Sequence, residues 1–111
     1  MKKLLFICTS NITRSATCED ILKGSTHYET KSAGTSRFAT VRATQELIDW
    51  ADEVFVMCER TDRHLTYLRE HFELGKKPVH DLDLPDFFYT RRGEPQLVAE
   101  LTDRLRPYLD F

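Results

Sequence analysis

The chain has 111 residues with a formal net charge of -2, from 16 Lys and Arg against 18 Asp and Glu. That length suits one domain, residues 1–111, with a modest core, and the charge balance excludes a general argument for nucleic acid or an anionic membrane as partner. Its 3 cysteines are an odd number without paired spacing, which fits a reduced compartment better than a disulfide framework.

Met1-Lys2-Lys3 is basic, but the apolar run behind it stops at Ile7, too short for a signal peptide. No stretch is apolar enough to span a membrane, and a cytoplasmic location is expected. Leu4 to Cys8 reads as a strand that is apolar on both faces, as a central parallel strand requires. Ser15 to Lys23 reads as a helix with Gly24 as its C-terminal cap. Between them lies Cys8-Thr9-Ser10-Asn11-Ile12-Thr13-Arg14-Ser15. A thiol therefore sits where a buried strand ends and a helix begins.

That placement has chemical consequences. A loop there turns its N–H groups inward, and the helix N-terminus adds partial positive charge, which together cradle a tetrahedral oxyanion. The backbone of Thr9, Ser10, Asn11, Ile12, Thr13 and Ser15 forms the cradle. Arg14 adds a planar fork of donors suited to phosphate. The same field favours thiolate over thiol at Cys8, and the thiolate is the nucleophile. Ser15 is placed to donate to it. Asn11 tolerates left-handed backbone geometry and can hold the loop in shape.

Further along, Tyr28 to Ser32 reads as a more polar edge strand, with Gly34 in the turn behind it. Val41, Thr44, Leu47, Ile48 and Ala51 share one face of a helix predicted over 41–51, with Trp50 off that stripe. Glu53 to Met57 is a second buried strand. Thr61 suits the cap of a third helix, with Leu65, Leu68 and Phe72 inward and Gly75 past its end. Pro78 to Leu82 is a weak fourth strand, and Asp83 to Gly93 a loop rich in aromatics and charge. Pro95, behind Glu94, opens the last helix, whose buried stripe is Leu97, Val98, Leu101 and Leu105 and which Pro107 ends or kinks. Strands alternating with helices imply a parallel sheet with helices on both faces.

Cys8, Asn11, Arg14 and Ser15 match the signature of the low-molecular-weight protein tyrosine phosphatases. That signature is a cysteine, five residues, an arginine and a serine or threonine after the first strand. Ser32-Ala33-Gly34-Thr35 resembles the end of that family's second strand. Asp52 to Met57 resembles its third, and Leu84-Pro85-Asp86 its late acid loop. The chain thus resembles the compact bacterial branch over most of its length. The resemblance implies a four-stranded sheet of order 2-1-3-4, with the phosphate-binding loop after strand 1. In that order the winding reverses beside strand 1, and ligands bind at such a switch point, outside the carboxyl ends of the strands.

The activity implied is hydrolysis of a phosphomonoester, foremost protein phosphotyrosine, with inorganic phosphate as product and no cofactor or metal. Cys8 attacks phosphorus, Arg14 and the loop amides hold the equatorial oxygens, and a proton donor serves the leaving oxygen. Asp81, Asp83 and Asp86 are candidates for that acid. The resemblance selects Asp86, although Phe87 stands where the family has proline, and Asp83 is the alternative. Asp86 then activates the water that hydrolyses the phosphocysteine. Phe38, Phe87, Phe88 and Tyr89 are candidates for aromatic walls, and Arg91-Arg92 for an acidic substrate flank.

The family's second loop cysteine is replaced by Thr13. Cys18 falls in the helix core, and a protective Cys8–Cys58 disulfide is an open expectation. His27, His64, His71 and His80 lack ligand spacing and read as surface or structural. Between Thr35 and Val54 the chain is shorter than larger family members, which leaves the cleft shallower or differently lined. Two alternatives remain. Arsenate reductase shares the loop but needs resolving cysteines, for which only Cys18 and Cys58 are available. A non-catalytic phosphate- or phosphotyrosine-binding module would keep Arg14 and the cradle without turnover.

Overall fold

The computed structural model describes residues 1–85 and 91–111. In chain order the elements are β1 Lys2–Cys8, α1 Arg14–Ile21, β2 Tyr28–Gly34, α2 Gln45–Trp50 and β3 Glu53–Val56. They continue with α3 Glu59–Asp62, α4 His64–His71, β4 Val79–Asp81 and α5 Pro95–Leu105. The strands pair in parallel in the order β2-β1-β3-β4, as expected.

Alternation along β1 divides the core into two layers. Leu4, Phe6 and Cys8 face α1 and α5, where Cys18, Leu97, Leu101 and Leu105 close over them. Leu5 and Ile7 face the other way and pack with Val54 and Val56 of β3, Ile48 of α2 and Leu68 of α4. β1 is thus enclosed by helices on both faces and by strands on both sides. Its last residue, Cys8, reaches the rim where the winding reverses. No helix among the described residues is long and apolar enough to cross a membrane.

Several boundaries differ from the sequence reading. α1 begins at Arg14 and ends at Ile21, and Gly24 takes its left-handed φ of 86° in the turn that follows. The helix expected over 41–51 is only Gln45–Trp50. Residues 41–43 run instead beside the end of β2: Gly34 N–H donates to Val41 at 2.8 Å, and Ala43 N–H to Gly34 at 2.9 Å. Thr44 caps α2, its hydroxyl accepting from Leu47 N–H at 3.2 Å. The third helix is two pieces, broken at Arg63 in left-handed geometry with φ 56°. Thr61 is not its cap and donates instead to Cys58 Sγ. The last helix starts at Pro95 and ends at Leu105, before Pro107. Phe111 is exposed.

Gly34 ends β2 directly opposite Cys8. A Cβ there would lie 2.3 Å from the Thr9 carbonyl oxygen and 2.7 Å from Ala39 Cβ. Both neighbours are held by backbone hydrogen bonds, Ser36 to Thr9 and Ala39 to Ser36, so neither yields cheaply. Gly34→Ala is expected to destabilise the fold by about 2 to 3 kcal/mol, as overpacking does. Urea unfolding of the two proteins measures it; an unchanged midpoint would show that the loop relaxes freely.

Candidate functional site

The loop after β1 folds around the sulfur of Cys8. Asn11, in left-handed geometry with φ 56°, turns its N–H to Cys8 Sγ at 3.2 Å. Ser15 Oγ lies 2.9 Å from the same sulfur. The buried Asn11 amide donates to Ser15 Oγ and to Ser32 Oγ, each at 2.9 Å. It thereby ties the loop to α1 and β2. A helix's first N–H groups lack intrahelical acceptors. Those of α1 begin at Arg14, where this loop ends.

Backbone hydrogen bonds fix the loop from outside. Thr35 N–H donates to Cys8, Ser36 to Thr9 and Thr40 to Ser10. The segment 35–40 therefore lies along the loop; its Phe38 is 80% exposed, with the Arg37 guanidinium over its ring at 4.8 Å. Ile12 is 57% exposed on the loop itself, and Thr13 precedes α1 as its N-cap residue.

Arg14 is buried although it is an arginine. Its Nη2 pairs with Asp62 at 2.8 Å, and its Nη1 donates to the Leu84 carbonyl at 3.0 Å. Among the described residues Leu84 takes one guanidinium hydrogen, Asp62 faces Nη2 as an ion pair without hydrogen-bond geometry, and the remaining donors of the fork suit an anionic ligand. The pairing holds the fork in one orientation, which a mobile surface arginine lacks.

Asp62 and His64 are site residues that the sequence reading did not include. Of the surface or structural roles expected for the histidines, His64 has the structural one: it is fully buried at the rim of the loop. Its Nδ1 accepts from Cys58 N–H at 3.1 Å. Its proton therefore sits on Nε2, which donates to Thr9 Oγ1 at 2.9 Å. Burial, reinforced by the positive charge of Arg14, lowers its pKa to about 4, against the opposing pull of Asp62 and Glu59. The available signal was position: Asp62 and His64 closely follow the carboxyl end of β3, on the rim where the fold places ligands.

The neutral imidazole has a consequence for pH. The unfolded chain takes up this proton near pH 6.5 and the folded chain near 4. The group's contribution is complete above 6.5 and is lost as pH falls toward 4, by roughly 2 to 3 kcal/mol. The urea midpoint should fall more steeply between pH 7.5 and 4.5 in the wild type than in His64→Gln. Parallel curves would show that His64 titrates normally.

The candidate acids are not equivalent. Asp81 accepts from the N–H groups of Glu59 and Asp83. Asp83, in left-handed geometry, pairs with Arg60 at 3.0 Å rather than with Arg14. Asp86, Phe87, Phe88 and Tyr89 lie outside the described residues. All three cysteines are free thiols and buried, so Cys8 and Cys58 are not joined. Cys18 is a core residue, and burial pushes its thiol pKa well up. Arg92 pairs with Asp20 at 2.7 Å.

No protein-family model and no curated protein sequence matches the chain. Solved structures do. A low-molecular-weight protein tyrosine phosphatase from Streptococcus pyogenes superposes with a TM-score of 0.73 at 19% identity, over 99% of this chain and 95% of that one. Vibrio vulnificus Wzb, in complex with benzylphosphonate, gives 0.73 at 18% identity over 96% of each chain. The YwlE arginine phosphatase from Geobacillus stearothermophilus gives 0.67 at 22% identity, over 96% of this chain and 94% of that one. With the sheet order and the loop after β1, these matches give the chain the fold of the low-molecular-weight protein tyrosine phosphatases.

Proposed function

We propose that the chain is a cysteine-dependent phosphomonoester hydrolase, with protein phosphotyrosine as its foremost substrate. One observation carries the reading: the Cys8 sulfur receives Asn11 N–H and faces Ser15 Oγ, beside an Arg14 anchored by Asp62 and Leu84. A buried structural thiol needs neither donors nor an adjacent anchored guanidinium. The phosphatase structures of the same fold, one of which holds benzylphosphonate, support it further.

In this reading Cys8 attacks phosphorus and the bond to the leaving oxygen breaks as the S–P bond forms. Arg14 and the loop amides take the charge of the equatorial oxygens. Asp86 gives its proton to the leaving oxygen, then takes one from the water that cleaves the phosphocysteine. Phosphate leaves, and Cys8 returns as thiolate. The reaction asks for no metal. Free thiols suit it to a reducing cytoplasm.

An aryl substrate is favoured by the exposed Phe38 and Ile12 beside the loop. They offer apolar surface to a ring rather than countercharge to a guanidinium. The test is hydrolysis of para-nitrophenyl phosphate with chelator present, orthovanadate as competitor, and acid quench to trap phosphate on Cys8. Metal-independent turnover with a phosphocysteine is expected. No turnover from mildly acidic to neutral pH would favour a phosphate-binding module. A phosphotyrosyl peptide should be hydrolysed faster than a phosphoarginyl one; the reverse order would move the substrate class to that of the arginine phosphatase.

A further inference from the structure

A chain of hydrogen bonds leads away from Cys8 to a carboxylate that the reaction itself does not use. Ser15 Oγ lies 2.9 Å from the sulfur, Asn11 Nδ2 lies 2.9 Å from both Ser15 Oγ and Ser32 Oγ, and Ser32 Oγ lies 2.6 Å from Glu19 Oε1. Glu19 is one helical turn beyond Ser15 on α1, half-buried against β2. We propose that Glu19 is a positioning residue that sets the direction of every hydrogen bond in this chain, and so forces the Ser15 hydroxyl to donate to the Cys8 thiolate. The inference rests on Cys8 being the nucleophile.

The argument is a count of hydrogens. An ionised carboxylate accepts and cannot donate, so the Ser32 hydroxyl spends its one hydrogen on Glu19. Ser32 can then only accept from Asn11, which must present its NH2 group. The second hydrogen of that group reaches Ser15 Oγ. Ser15 therefore accepts from Asn11, and its own hydrogen is left for Cys8 Sγ at 2.9 Å or for the Ala33 carbonyl at 3.4 Å. Against a thiolate the charged partner wins, because a hydrogen bond to an ion is the stronger one.

Without Glu19 the direction is lost. Ser32 is free to donate, and the Asn11 amide turns its oxygen toward both serines. Ser15 then spends its hydrogen on Asn11, and the sulfur loses its donor. No atom near Cys8 is removed by such a change. Only the proton positions differ, which is why Glu19 acts although four hydrogen-bonded links separate it from the sulfur.

The test is the rate of carboxymethylation of Cys8 by iodoacetate at pH 6.5, resolved by site with mass spectrometry. Loss of a hydrogen bond to a charged group predicts about tenfold slower reaction in Glu19→Ala. Ser32→Ala breaks the chain from inside and should slow it similarly, which keeps the test open if the Glu19 variant folds poorly. In a Ser15→Ala background, where the last donor is already absent, Glu19→Ala should add nothing. A wild-type rate in Glu19→Ala, or equal slowing with and without Ser15, would overturn the proposal, the latter by showing general loosening. Alkylation requires no turnover. Failure of the phosphatase reading would appear separately, as hydrolysis that survives Cys8→Ser.

Discussion

Serine in place of Cys8 is expected to abolish aryl phosphate turnover, by at least about four orders of magnitude, as loss of a covalent nucleophile does. The substitution exchanges sulfur for oxygen at a site that is almost fully buried, at the end of the central strand. The donors around it stay. Asn11 N–H and Ser15 still face the position, and Arg14 is still held by Asp62 and Leu84. An alcohol, however, is intrinsically a far weaker acid than a thiol, and it attacks phosphorus far more slowly. Binding should survive what catalysis does not. Orthophosphate affinity, measured by calorimetry, should change by less than about threefold, since the cradle is made by other residues. Loss of binding together with turnover would mean that Cys8 is a structural keystone. Retained turnover would mean that another group is the nucleophile.

The cradle was legible in the sequence because all its parts lie within eight consecutive residues, Cys8 to Ser15. A buried strand, a left-handed Asn11 and a helix start are local facts, and local pattern reports them. The sheet order was legible through the family resemblance, and Gly34 packs against the loop as a close approach rather than as a turn.

What escaped depends on contacts between distant residues. Val41 and Thr44 fall on the helical stripe of Leu47 and Ile48 by spacing alone. The pairing of Gly34 with residues 41–43 overrides that spacing and leaves Thr44 to start the helix. His64 shows no ligand spacing, and spacing does not report the role it has. Its partners, Thr9 and Cys58, come from two neighbouring strand ends, and only the left-handed break at Arg63 brings it under the loop. Asp62, the last residue of α3 before that break, pairs with Arg14. A helix running unbroken from Thr61, as periodicity suggests, would carry His64 elsewhere.

Of the two late aspartates, Asp86→Ala should slow aryl phosphate hydrolysis by about two to four orders of magnitude, the range of general-acid catalysis, while Asp83→Ala should cost less than about tenfold. The difference follows from where each carboxylate is spent. Asp83 lies on the outer rim, paired with Arg60, with both side chains largely exposed. That pairing turns its carboxylate toward Arg60 rather than toward the guanidinium that would bind phosphate. Leu84 then turns inward: its N–H donates to the Met57 carbonyl at 2.7 Å, and its own carbonyl accepts from Arg14. Asp86 follows Leu84 by two residues, a contour of about 7 Å, so a carboxylate at that position has the reach to serve an oxygen leaving from phosphate on Arg14. Asp83 adjoins Leu84 as well, but its carboxylate is taken by Arg60. The signature lies in the leaving group. In Asp86→Ala the rate should depend steeply on leaving-group acidity, because a departing oxygen without a proton donor must leave as an anion. Wild type and Asp83→Ala should show little dependence across substituted phenyl phosphates. A steep dependence in Asp83→Ala and a shallow one in Asp86→Ala would exchange the two roles.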